Sequence, residues 1–402
     1  MPGPKLRRLD RYTLDRDGEP HLVLHDPLAL SEPVALPALA GAVLDLLDGQ
    51  RTPAQIRQSL LMRGALDIPT ADIEALVADL SDAGLLDDPR FRARWQAHHE
   101  AFLEAPTRAP RHAGTLYPDD PETLRATLSR ALPGRDGRFA QRRAALALIC
   151  PHQPAQAIPD LLDATARDLP PAEQLDAIVI LGTDHGVGLT PYAATGKRYQ
   201  TPLGEAPAAA RLLAELEEQL PWITREEIRH RAGHSVELAV CALHYLYEDS
   251  CPPILPILCG QSSLARREGL RAEVDDFLAA MGRALARRRV LLWTSAELGH
   301  AGPAYGGPAL PPDASARLER RDRALLQSLL DGRPERLLRA CLEDDPQLGR
   351  ASGSAALVTL ARLLPLGYQA TLTGYRVASA PGVEPGLAGL AGLRVYEHGV
   401  GE

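Results

Sequence analysis

Several segments of this chain end an apolar run in residues that can bind a metal or move a proton. The most regular is Leu175–Gly188, LDAIVILGTDHGVG. Its core, Ala177-Ile178-Val179-Ile180-Leu181, breaks at Gly182 and delivers Thr183, Asp184 and His185 into a loop. Ala144–Cys150 runs into Pro151-His152, and Val290–Trp293 runs into Thr294-Ser295-Ala296-Glu297 with His300 close behind. His234 stands in AGHSVE, where a helix begins. Histidines and a carboxylate converging from separate strand ends could bind a divalent metal. Imidazole suits iron, copper or zinc, and two His with one carboxylate is the non-haem iron arrangement. A metal held this way could activate oxygen or generate hydroxide at neutral pH. No two candidate ligands lie close together as they do in HExxH, so spacing alone does not fix the set.

Each candidate has a plainer reading beside the chemical one. His112 precedes a Gly turn and either lines a cleft or caps the loop. His300 is either an exposed loop residue or a group that exchanges protons near neutral pH. Glu297 could orient a metal-bound His or cap the following turn. Asp184 could simply bond its own turn. Tyr117 is a pocket wall or a half-buried aromatic. Cys150 and Cys259 sit in apolar strands and read as core.

The elements that must position these residues are those of an α/β fold. A continuous β-branched run bounded by turn residues reads as a strand buried on both faces, in a parallel or mixed sheet. Ligands gather beyond the carboxyl ends of such strands. Further strands are expected at Ile254–Cys259, Gln369–Arg376 and Leu393–His398, with helices between them from Pro121–Leu132 to Gly353–Leu364. This α/β part is expected to span 111–402, after a linker at 96–110 that loosens at Ala105-Pro-Thr-Arg-Ala-Pro110. Residues 1–95 form a separate small α+β module. His21–His25 and Pro33–Pro37 read as paired strands, followed by helices at Leu39–Leu47, from Thr52 and from Thr70. Thr52, Pro53 and Gln55 make a start signal with a capping box. The pattern suggests a winged-helix-like module. From Asp45 to Asp88 there are nine acids and three arginines, the wrong balance for a phosphate backbone.

The whole chain of 402 residues carries a net charge of −8, which argues against a nucleic-acid surface. Its five cysteines form no CxxC pair, so neither a disulfide framework nor a zinc knuckle is expected. The N-terminal residues lack the apolar core of a signal peptide. No stretch approaches 18 uninterrupted apolar residues, so no membrane span is expected and the cytoplasm is the default compartment.

From about residue 111 onward the chain resembles the Memo family, the B component of the AmmeMemoRadiSam system. Arg111–Pro118, RHAGTLYP, resembles the opening HAGSWY-type motif, and Pro151-His152 the start of PHAGY. ILGTDH (180–185) resembles ILGPSH, YQTPLG (199–204) resembles YxTPLG, and HSVE (234–237) resembles EHSxE. TSAELGH (294–300) resembles SSDFCH. The segments occur in family order over roughly 290 residues. The resemblance implies a fold related to class III extradiol dioxygenases, a central mixed sheet flanked by helices, and a metal pocket lined by His152, His185 and His234. The chain departs from the pattern at Gln153-Pro154, at Gly233 where the family has Glu, at Glu297 for Asp, and at Gly299 where Cys stands. Three imidazoles can still hold a metal with an open position. Within residues 1–95, a segment of about 70 residues, LHDP…LDGQRTPAQI…LVADLSDAGLLDD, loosely resembles PqqD-like winged-helix domains that hold peptides; a packing or homodimerisation role is the plainer reading.

The expected function is therefore a cytosolic metal protein, with iron or copper held by His152, His185 and His234 and redox chemistry on a small-molecule substrate. In that reading Glu297, His300 and His112 are the catalytic candidates. The alternative is a non-enzymatic protein that binds a peptide or protein partner with a degenerate pocket. Metal-dependent hydrolysis fits three His equally well but has no resemblance behind it.

Overall fold

The computed structural model describes residues 3–397 apart from 17–18, 27–29, 65–66, 141–142, 187, 265–267, 344, 346–347, 350 and 381–384. His398, the end of the last expected strand, and part of the expected start of the helix at 264–287 lie outside the described residues. The chain divides into two compact units. One comprises Met1–Glu104 with Gly302–Ala309 and Ala380–Gly386; the other comprises Ala105–Ala301, Leu310–Ser379 and Leu387–Glu402.

The first unit opens with β1 (Asp10–Arg16), β2 (Glu19–His25) and β3 (Val34–Pro37), an antiparallel sheet in that order. His21 pairs with Pro37 and Leu24 with Val34. Four helices follow: α1 (Ala40–Leu44), α2 (Pro53–Met62), α3 (Thr70–Asp82) and α4 (Pro89–Glu104). At α2 the Thr52 hydroxyl accepts from Gln55 N and the Gln55 side chain accepts from Thr52 N, a complete capping box. Ile56, Leu60, Ile73 and Leu80 bury one face of α2 and α3 against Leu24, Val43 and Leu44. The stretch read as a linker, 96–110, is half helix: 96–104 continue α4.

The second unit takes up the chain at β4 (Thr107–Arg108), which pairs with β8 (Arg198–Thr201), itself hairpinned to β9 (Gly204–Ala206). A Pro-flanked hexapeptide reads as a breaker, yet Arg108 is buried there, for a reason given below. The remaining elements are α5 (Pro121–Ala131), β5 (Ala147–Cys150), α6 (Pro159–Thr165), β6 (Ala177–Thr183), β7 (Tyr192–Ala194), α7 (Ala210–Gln219), α8 (Ser235–Tyr247), β10 (Ile254–Cys259), α9 (Glu268–Leu285), β11 (Val290–Ser295), β12 (His300–Ala301), α10 (Ala314–Leu330), α11 (Pro334–Leu342), α12 (Ser354–Leu363), β13 (Gln369–Ser379) and β14 (Leu387–Tyr396). Eight strands make one mixed sheet in the order β12-β14-β5-β11-β6-β10-β7, with β13 also on β14. Its centre, β5-β11-β6-β10, is parallel, and antiparallel strands close both sides.

Both faces of the sheet are covered, and β6 shows why. Ala177, Val179 and Leu181 enter one core with α7, α9, α10 and α12, while Ile178 and Ile180 enter the other with α6 and α8. Alternation between two apolar cores makes the strand a continuous hydrophobic run. β11 does the same, with Val290 and Leu292 on one side and Leu291 and Trp293 on the other. Among the described residues, no helix is long and apolar enough to cross a membrane.

Candidate metal centre

The central strands β5, β11 and β6 are neighbours and parallel, and their carboxyl ends are level: Ser295 pairs with Cys150 on one side and with Gly182 on the other. His152, Glu297 and His185 are each the second residue past their strand. Equal offsets from adjacent strands bring the three side chains together. His234 arrives from a different direction, as the residue before α8.

Local chemistry fixes each approach. Gly182 lets the start of α8 lie close on β6, since a Cβ there would come within 2.6 Å of Val236 Cγ2 and 2.9 Å of Ser235 Oγ. Ser235 Oγ donates to Thr183 O at 2.7 Å, and Thr183 Oγ1 donates to Ser295 O at 2.8 Å. Ala296 N donates to Cys150 O at 3.0 Å. Asp184 accepts from Gly186 N at 2.9 Å, the local turn bond expected of it, and also pairs with the buried Arg229 guanidinium. The loop carrying His185 is thus anchored on both sides.

The three imidazoles offer ring nitrogens that all lie within 4.8 Å of one another. His152 Nε2 and His185 Nε2 are 3.1 Å apart. The His185 and His234 rings stack at 4.7 Å between centroids, and His152 lies 5.1 and 5.2 Å from them. Two nitrogens bound to one metal at about 2.0–2.1 Å, subtending about 90–110°, stand roughly 2.9–3.4 Å apart; the 3.1 Å separation of His152 and His185 fits. His152 is buried, His234 partly buried and His185 exposed, so the cluster has a covered side and an open one. Burial lowers the pKa of His152 and, with the neighbouring imidazoles, takes that of His234 well below the usual histidine range. Neutral imidazole is the form that ligates metals.

Glu297 is buried at the edge of this cluster. Its carboxylate accepts from Gln153 Nε2 at 2.7 Å and from His300 Nε2 at 2.9 Å, and lies 3.8 Å from His152 Nε2. Burial pushes its pKa up, but the His152 and His300 imidazoles and the Gln153 amide hold it down at about 2. Gln153, which stands in place of a small residue, therefore ties the carboxylate. His300 presents a partly exposed ring from β12. His112 packs edge-on to His234 at 5.6 Å, and its Nε2 lies 3.0 Å from Ala232 O. Burial lowers its pKa against the pull of Glu237. All six residues singled out in the sequence thus lie in one neighbourhood. Gly299, at the expected Cys position, faces away from it: a Cβ there would overlap Leu318 Cδ1 of α10.

Two residues that position His234 were not singled out. Glu237 on α8 is fully buried and forms an ion pair with the buried Arg108. It also accepts from Arg111 N at 3.0 Å, from His112 N at 2.8 Å and from the Tyr117 hydroxyl. Arg108 donates to the carbonyls of His230 at 3.0 Å, Arg231 at 3.2 Å and Gly233 at 2.9 Å. One guanidinium thereby holds the turn that leads into His234 and the loop that carries His112. Nothing local in APTRAP marks Arg108 as buried; its partner is 129 positions away.

Residues 108–379 match the family described as Memo-like protein. A MEMO1 family protein of Thermus thermophilus is 27% identical over 317 residues, covering 79% of this chain and 90% of that protein. A MEMO1 family protein of Aquifex aeolicus is 23% identical over 307 residues, covering 76% of this chain and 77% of that protein. The crystal structure of an uncharacterised protein of Escherichia coli K12 superposes with a TM-score of 0.38 at 18% identity, covering 62% of this chain and 98% of that one, a likeness too slight to bear on function.

Proposed function

This chain belongs to the Memo-like protein family, and from that premise we propose that it is a metal-dependent oxidoreductase in which His152, His185 and His234 hold one iron or copper ion. The observation that carries the reading is the convergence of three imidazoles within 4.8 Å at the carboxyl edge of the sheet. Imidazole-held iron or copper supplies oxidation chemistry, with an open position for a small molecule. The rest falls to the chain's own side chains. His185 lies on the exposed side of the cluster, where a substrate would approach. Glu297 fixes the tautomer of His300 by accepting from its Nε2, and His300 exchanges protons with bound substrate from its partly exposed ring. His112, held by Ala232 O, sets the orientation of His234 from the side.

The test is metal content by mass spectrometry on protein purified without an affinity tag. Near-stoichiometric iron or copper is expected in the parent and none in the His152→Ala/His185→Ala double variant. Single alanine variants of all three histidines that each bind metal as well as the parent would overturn the reading.

A second role falls to the N-terminal unit. Leu39, Leu61 and Met62 are exposed at 61%, 46% and 78%, and on this reading these exposed apolar side chains recruit a peptide or protein. Leu61→Ser/Met62→Ser should then abolish co-purification of a partner without changing metal content.

A further inference from the structure

Asp322 of α10 is a fully buried carboxyl with no part in the site described above. Its hydrogen-bond partners among the described residues are two donors. Gly299 N donates to Oδ1 at 3.0 Å, and the Tyr375 hydroxyl of β13 donates to Oδ2 at 3.1 Å. A carboxylate offers about four acceptor positions, and burying one so thinly served costs stability. Burial pushes its pKa up to about 6, although the two donors and the charges of Arg321 and His300 favour the ion. The backbone makes room for it: a Cβ at Gly389 of β14 would overlap Asp322 Oδ2.

What the carboxyl touches gives it a use. Gly299 precedes His300, in the short turn that runs from Glu297 to His300. Elsewhere this turn is tied down by backbone. Glu297 O accepts from Gly353 N at 2.9 Å, and Leu298 O accepts from Ser352 N at 3.1 Å. Leu298 N donates to Gly389 O at 2.9 Å, and Gly299 O accepts from Gly389 N at 2.8 Å. Gly299 N is bound by a side chain instead, that of Asp322. The path of this turn decides whether the His300 ring can reach back to Glu297, as it does at 2.9 Å. We propose that Asp322 is a positioning residue for His300, fixing the turn through Gly299 N so that the imidazole meets the Glu297 carboxylate. The use of that contact rests on reading His300 as the group that exchanges protons with substrate; the positioning itself does not.

The test uses the full-length, metal-free protein above neutral pH, where Asp322 is ionised. Diethyl pyrocarbonate modifies neutral imidazole nitrogens, and peptide mass spectrometry reads the rate at each histidine. His300 reacts slowly while its Nε2 is held by Glu297. Asp322→Ala should speed the modification of His300 several-fold and leave the buried His230 and His244 as slow as in the parent. Asp322→Asn still offers Gly299 N an oxygen and should keep the parent rate. Gly389→Ala displaces the carboxylate without altering it and should match Asp322→Ala. The proposal is overturned by a parent-like His300 rate in Asp322→Ala or Gly389→Ala, or by an Asp322→Asn rate as fast as that of the alanine variant. It is equally overturned if His230 and His244 accelerate together with His300, since Asp322 would then support the fold at large. Failure of the metal reading shows instead as absent iron and copper in the parent and leaves these rates untouched.

Discussion

Replacing Arg108 with Met tests the account of how His234 is held. Met keeps much of the apolar stem and removes the charge and every donor. The Arg108 and Glu237 side chains are 1% and 0% exposed, so solvent does not screen the pair. The substitution leaves Glu237 as a buried anion without its Arg108 partner, still accepting from Arg111 N, His112 N and the Tyr117 hydroxyl. Breaking a fully buried pair by removing one partner costs about 3–5 kcal/mol. The carbonyls of Ala109, His230, Arg231 and Gly233 also lose a donor, which places the expected loss toward the top of that range. The assay is guanidinium denaturation of the parent, Arg108→Met, Glu237→Leu and the double variant. Each single variant should lose several kcal/mol. The double should lose clearly less than their sum, because neither charge is then left alone. Metal affinity, measured where Arg108→Met remains folded, should fall as well, because the turn that presents His234 is released. A single variant within about 1 kcal/mol of the parent, or strictly additive losses in the double, would refute the reasoning.

Further outcomes follow from other sites. Burial lowers His230 to about 3 and His244 to about 4, whereas an unfolded His titrates near 6.5. Their folded pKa values are depressed, so stability is complete above about pH 6.5 and is lost as the pH falls and only the unfolded chain takes up protons. At pH 5 each should cost about 2 kcal/mol; denaturation midpoints that match at pH 7.5 and pH 5 would contradict this. Glu248 caps α8 at φ 48° and ψ −134°, a conformation that suits glycine, and its pair with Arg135 is largely exposed. Glu248→Gly should raise stability by about 1 kcal/mol, seen as a higher melting temperature, and a lower one would count against the strain. Gly299→Cys should cost about 1–3 kcal/mol through overlap with Leu318 and should give no thiolate charge-transfer band when cobalt is loaded. Such a band would show that the backbone turns this position toward the imidazoles.

The sheet strands were legible because their signal is local. An apolar run such as Ala177–Leu181 has to be buried on both faces, and the residues after it have to leave the sheet. The capping box at Thr52 and the helix at Ala314–Leu330 were readable for the same reason, since their hydrogen bonds close within one turn. His112, His152, His185, His234, Glu297 and His300 could be named because each lies at a strand end, a turn or a helix start, or in a segment that resembles a family motif. The prolines of 105–110 mark a break in regular structure, at the point where one compact unit ends and the other begins, and say nothing of burial. Arg108 is buried between two prolines because its charge is neutralised by Glu237.

By itself the sequence determined where the central strands β5, β6, β10 and β11 run, which residues follow them out of the sheet, and which of those can ligate a metal. Only the tertiary structure decided that β5, β11 and β6 lie side by side, so that equal offsets past three strands bring His152, Glu297 and His185 together. It alone decided that Gln153 reaches Glu297, that Arg108 and Glu237 share one buried contact, and that Gly299 faces α10 instead of the imidazoles. The physical reason is common to all of these. Strand order and charge pairing are set by burial and Coulomb energy summed over contacts more than a hundred residues apart, and no local periodicity carries that information.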